Sequence, residues 1–135
     1  MIVVLGAVLL QAQALKVKVV VHKDNPATVL SKKEVSNLFL KKTTSWSNGT
    51  KVVAIDLVDS AALRQKFSKE IHGRKVSSIK AYWQKEIFSG RNVPPAEKRT
   101  EREVMQFVQN NPGAVGYISA STGTGNFQVK VLEIK

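Results

Sequence analysis

Apolar positions along the chain fall into short runs whose period alternates between two and between three and four residues, the mark of strands interleaved with helices. Lys16 to His22 alternates at first and then continues through Val19, Val20 and Val21, which predicts a β-branched strand buried on both faces. Asp24-Asn25-Pro26 ends it. Ser31 stands three residues before Glu34, a capping box in which hydroxyl and carboxylate each satisfy a free N–H at a helix start. Val35, Leu38 and Phe39 give that helix its apolar face. Ser45 to Thr50 reads as a turn, with Asn48-Gly49 suited to positive φ, and Lys51 to Leu57 as a second apolar strand, so the chain opens as βαβ.

Asp59 or Ser60 can cap the next helix, which carries Leu63, Phe67 and Ile71 on one side and breaks at Gly73. Ser77 or Ser78 starts another, whose aromatic stripe of Ile79, Tyr82, Trp83, Ile87 and Phe88 is expected to pack as core between helix and sheet. Gly90 to Pro95 is a loop. Thr100 and Glu103 form a second capping box, with Val104, Phe107 and Val108 on the apolar side of the helix it opens, and Asn111-Pro112-Gly113 stops that helix. Ala114 to Ile118 and Phe127 to Ile134 read as two further strands joined by the small, polar loop Ser119 to Asn126. The pattern predicts an α/β fold, a mostly parallel β-sheet with helices on both faces, and a ligand beyond the carboxyl ends of the strands. Val58 to Ser60 and Ser119 to Asn126 are the loops expected there.

Length limits the domain count. At 135 residues there is room for one domain with a real core and not for two lobes of ordinary size. The run Ile2 to Leu10 is followed by Gln11-Ala12-Gln13-Ala14, whose Ala-x-Ala spacing suits a signal peptidase. This predicts a signal peptide over 1–14 and a single mature domain over 15–135. A buried first strand or helix is the alternative, because no basic residue precedes the run. As a helix the run is too short to span a bilayer, which takes roughly 20 apolar residues. The formal charge of +11 lies wholly after residue 15, so the mature domain is strongly basic and expects an acidic partner. The absence of cysteine excludes disulfides, thiolate metal sites and a cysteine nucleophile.

Catalytic constellations are missing. His22 and His72 stand alone, far from any group of acids with metal-ligand spacing, and there is no Gly-x-Ser-x-Gly, P-loop or dinucleotide fingerprint. No enzyme activity, metal or cofactor is expected. The best candidate site is the turn Asp59-Ser60-Ala61-Ala62 at a helix start, where free N–H groups attract anions and Arg64 adds a charged fork for phosphate or carboxylate oxygens. Asp59 would repel an anion unless that anion kept a proton to donate. Thr122, Gly123 and Thr124 supply further donors from the second loop. Nucleic acid is not the expected partner, because the helical spacing of Tyr82 and Trp83 points them inward, away from bases.

Several motifs in order carry a family resemblance. Val-His-Lys-Asp-Asn-Pro at 21–26, Leu-Ser-Lys-Lys-Glu-Val at 30–35, Leu-Phe-Leu at 38–40, Trp46 with Asn48-Gly49, the strand Val52 to Ile55, and Pro112-Gly113-Ala114-Val115-Gly116-Tyr117 resemble the second lobe of phosphate-binding proteins of ABC transporters. The resemblance implies one lobe of a type II periplasmic-binding-protein-like fold, export to the periplasm, and a ligand that is phosphate or a similar oxyanion. In that family the strand after the Trp turn leads into an Arg-x-Asp-Gly-Ser-Gly-Thr segment that holds phosphate. The matching stretch here, Leu57 to Leu63, keeps only Asp59. A lone lobe cannot close on a ligand, so its second wall has to come from a homodimer or from another protein, such as an ABC permease or an envelope protein. The alternative is a ligand-free periplasmic scaffold that uses the same fold and its basic surface for interaction.

Overall fold

The structure is a computed structural model that describes residues 15–135; the expected signal peptide lies outside the described residues. Five strands form one sheet in the order β4-β3-β5-β1-β6, from β1 (Val17–His22), β3 (Val53–Leu57), β4 (Ala96–Lys98), β5 (Ala114–Ser119) and β6 (Val129–Val131). The short strands β2 (Val29–Leu30) and β7 (Glu133–Ile134) pair in parallel beside it. Strand β3 runs parallel to β4 and β5, and β1 is antiparallel to both β5 and β6. Four strands therefore share one direction, and β1 alone opposes them. The βαβ opening expected from the sequence does not form, because β1 runs opposite to β3, with β5 between them. Burial on both faces, which the Val19–Val21 run does show, is the same for either strand direction.

Successive residues on a strand point to opposite faces, and β5 shows what each face carries. At Gly116 a β-carbon would lie 2.6 Å from Val104 and 2.9 Å from Ile55, so helix α4 (Glu101–Asn110) presses on that face and only glycine fits beneath it. Tyr117 points the other way and stacks on Phe67 with ring centroids 3.8 Å apart, with Phe39 at 5.8 Å. Helices α1 (Lys32–Phe39) and α2 (Ala62–Phe67) cover this second face, so the α/β class with helices on both faces stands. Both capping boxes form, at Ser31 with Glu34 and at Thr100 with Glu103, and Gly49 takes the positive φ expected of it.

Helix α2 continues as a π-helical turn (Ser68–His72) that Gly73 ends in the left-handed conformation. The aromatic stripe behaves differently from the expectation. Helix α3 (Val76–Phe88) begins after Lys75, one residue before Ser77, without a side-chain cap. Its Ile79 and Trp83 bury against Leu40, just past the end of α1, in a small cluster separate from the main core, and Ile87 and Phe88 are exposed. Helical spacing marks a face for burial without saying against what, and here the sheet is already covered. Strand β4 follows the loop as an unanticipated edge strand, and the last apolar segment is broken at Leu132 into β6 and β7.

Candidate functional site

Strands β3, β4 and β5 end on the same edge of the sheet: Leu57 pairs with Lys98, and Val53 with Ala114. The connections leaving that carboxyl edge are Val58 to Ala61, Arg99 with Thr100, and Ala120 to Asn126. Two of them hold expected site residues and come from neighbouring strands, β3 and β5. The start of β1 reaches the same edge, where the Ala120 amide donates to the Lys16 carbonyl at 2.9 Å and the Lys18 ammonium donates to the Thr122 carbonyl at 2.8 Å. The second loop is thus fastened by a cation as it leaves β5.

At the β3–α2 connection, the Ala61 amide donates to the Val58 carbonyl at 3.0 Å, closing a turn that starts the helix later than expected. The N-cap is consequently Ala61, which has no side-chain acceptor, and neither Asp59 nor Ser60 caps α2. The first-turn amides are left without a side-chain cap, the arrangement that favours an anion. Asp59 is exposed and accepts from the Lys80 ammonium at 2.8 Å, which holds its carboxyl below the usual range. Ser60 is exposed, Thr122 and Thr124 are half-buried, and Gly123 lies open with space for a side chain. These five residues share one edge.

Arg64 does not join them. Its guanidinium turns into the body of the protein, where Nη1 donates to the Leu57 carbonyl at 2.6 Å and to Glu97 at 3.2 Å, and Nε lies 3.3 Å from Asp56. Only 5% of the residue is exposed. In place of the expected surface fork, Arg64 is the counterion of a buried acid. The Tyr117 hydroxyl donates to the same Asp56 oxygen, and the Leu57 amide donates to it at 3.0 Å. Burial pushes the Asp56 carboxyl above its ordinary value against the pull of Arg64 and Tyr117, and burial likewise raises the Tyr117 phenol. This five-residue network was missed from sequence, and its signal was the single carboxylate inside the apolar run Val53 to Leu57, eight residues before an arginine on the following helix.

Among the described residues no group of three or more metal-ligating side chains comes together. His22 and His72 lie apart. Burial, with Arg64 and Arg74 nearby, lowers His72 to about 4, and its Nδ1 shares a 2.6 Å hydrogen bond with the Ser36 hydroxyl.

No protein-family model matches the chain, and no curated protein matches its sequence. Solved structures do match. A protein from Clostridium perfringens assigned as a phosphate ABC transporter substrate-binding protein, solved with bound phosphate, superposes with a TM-score of 0.69 at 21% identity over 88% of this chain. The fold is that of one lobe of the phosphate-binding proteins of ABC transporters. An ABC-type phosphate transport receptor from Vibrio cholerae gives 0.67 at 20% identity over 88% of the chain, and PstS from Borrelia burgdorferi gives 0.63 at 14% over 89%. The chain spans 44%, 46% and 47% of these three proteins, respectively. In a lobe of this fold, the carboxyl edge of the sheet is also where the general rule for open α/β sheets puts a ligand.

Proposed function

We propose that this lobe is an exported, non-catalytic binding domain that holds phosphate or a related oxyanion at the carboxyl edge of its sheet, as a substrate-binding component serving an ABC permease in the periplasm. This reading is supported by the uncapped α2 start and the Thr122–Thr124 loop leaving neighbouring parallel strands at one sheet edge, in a lobe with the fold of phosphate-binding proteins. Amides of the first turn of α2, the Ser60 hydroxyl and the Thr122 and Thr124 hydroxyls supply neutral donors. Asp59, its charge offset by Lys80, accepts the proton that a partly protonated oxyanion retains. Arg64 serves the site indirectly by fixing the end of β3 from which the α2 turn departs. A second copy or a partner protein supplies the facing wall.

Calorimetric titration of the chain with phosphate and with sulfate at low salt tests the reading. Saturable binding that prefers phosphate is expected, and it should disappear in Ser60→Asp and Gly123→Asp, where an added carboxylate sits at exposed positions without disturbing the core. Absence of saturable binding, or heats that neither substitution alters, would sink it.

The inward Arg64 favours a second reading, in which the lobe binds no small ligand and serves as an envelope scaffold through its basic surface. That reading expects salt-sensitive binding to acidic lipids, polymers or proteins and a flat phosphate titration.

A further inference from the structure

A groove of 470 Å³ lies between α1 and the π-helical turn, lined by Lys32, Lys33, Lys42 and Arg74. None of these four cations takes part in an ion pair among the described residues. Glu70, which also lines the groove, accepts the Lys16 amide at 2.9 and 3.0 Å, and Glu34 closes the α1 capping box. Four cations thus share the hollow with a single carboxylate, Glu70, and the excess of like charge favours an anion covering them.

The groove does not end at Arg74. That residue also opens a second hollow, of 600 Å³, along one side of α3, where Ser78, Tyr82, Lys85 and Phe88 follow at helical spacing. The Lys42 ammonium lies 5.8 Å from the Tyr82 ring and ties the two hollows together. Helix α3 buries Ile79 and Trp83, and its last turn lies outside both core clusters. There Phe88 is 94% exposed and Ile87 52%. Val93, in the loop that follows, is 59% exposed.

A protruding apolar tip beside a row of unpaired cations matches the layering of a bilayer, with acyl chains inside and anionic headgroups outside. We propose that this face docks on an anionic phospholipid bilayer, with Phe88 and Ile87 entering the interface and Lys32, Lys33, Lys42, Arg74 and Lys85 meeting the headgroups. Cations outnumber acids along the two adjoining hollows, whose linings hold Lys32, Lys33, Lys42, Arg74 and Lys85 against Glu70 alone, which suits an anionic plane. Nothing in this inference depends on the carboxyl edge.

Vesicle co-sedimentation of the full chain, with phosphatidylcholine alone and with added phosphatidylglycerol, tests it. Binding is expected only with phosphatidylglycerol and should weaken as salt rises. Lys32→Ala, Lys33→Ala and Arg74→Ala combined should lower partitioning about a hundredfold, since each cation near an anionic surface contributes about fivefold. Phe88→Ser should lower it about tenfold. All four side chains are exposed, so the melting temperature should not move, and residues 1–14 are common to every variant, so any binding by that run cancels. Equal binding to neutral vesicles, or partitioning that neither set of substitutions alters, overturns the proposal. It is also overturned if inorganic phosphate displaces vesicles better than chloride at matched ionic strength, which makes the groove a site for the free anion. Self-association that Phe88→Ser abolishes overturns it as well, by making a second copy the occupant.

Discussion

Replacing Arg64 with leucine removes the counterion of Asp56 while leaving that carboxyl 5% exposed beneath Tyr117. Breaking one side of a buried pair in this way costs about 3–5 kcal/mol, because the remaining charge is neither solvated nor matched. For a domain of this size, each kcal/mol moves the melting temperature by about 3–5 °C, so the variant should melt about 10–20 °C below the parent at neutral pH. The deficit should depend on pH in a fixed sense. Asp56 is already raised by burial, and losing Arg64 raises it further. Above its folded pKa the variant holds an unpaired carboxylate and pays the full penalty; below it, Asp56 is neutral and the penalty fades. The gap between variant and parent should therefore narrow as pH falls from 7 toward 5. Asp56→Leu combined with Arg64→Leu should recover most of the loss, since removing both charges leaves no orphan. Thermal unfolding followed by circular dichroism at the two pH values reads all of this. An Arg64→Leu variant as stable as the parent, a gap that widens with acid, or a double variant no better than the single one would refute the assignment of Arg64 as a buried counterion.

Three further outcomes follow from the packing. His72 has a folded pKa of about 4 against an ordinary 6.5, so its stabilising contribution is complete above 6.5 and is lost as pH falls toward 4; His72→Gln should flatten that part of the stability curve. Gly116→Ala should destabilise by about 1–3 kcal/mol, measured by urea unfolding, because the added methyl meets Val104 and Ile55. Ser31→Ala and Thr100→Ala should each cost about 1 kcal/mol in the same assay, whereas Ser60→Ala should cost close to nothing, since Ser60 caps no helix.

What could be read from sequence was local. Ser31 with Glu34 and Thr100 with Glu103 announce helix starts because each box closes within four residues, and Gly49 announces its turn because the required φ belongs to that residue alone. The apolar faces of α1 and α4 were legible for the same reason. The direction of β1 was not, because a strand buried on both faces carries the same pattern whichever way its neighbours run. Nor was the fate of α3: Ile87 and Phe88 continue the spacing of Ile79 and Trp83, yet Leu40 offers room for only the first two. At the candidate site, the departure of two loops from one edge of the sheet followed from the α/β pattern. The orientation of Arg64 did not, since it is decided by Asp56, Glu97 and the Leu57 carbonyl, which only the folded sheet brings within its reach.

The placement of β1 also governs when this sheet can exist. Val17 pairs with Ser119 and Val20 with Val131, so the strand richest in buried valine has both its partners in the last quarter of the chain. Until that stretch has emerged, β1 has two open edges and no sheet to join, and contacts so distant in sequence are slow to form. A chain interrupted before residue 114 would keep α1, β3, α2 and α4 but would have a gap where β5 belongs. Such fragments should expose Val19 to Val21 and aggregate rather than fold, which makes the C-terminal segment the step that commits the molecule to its native state.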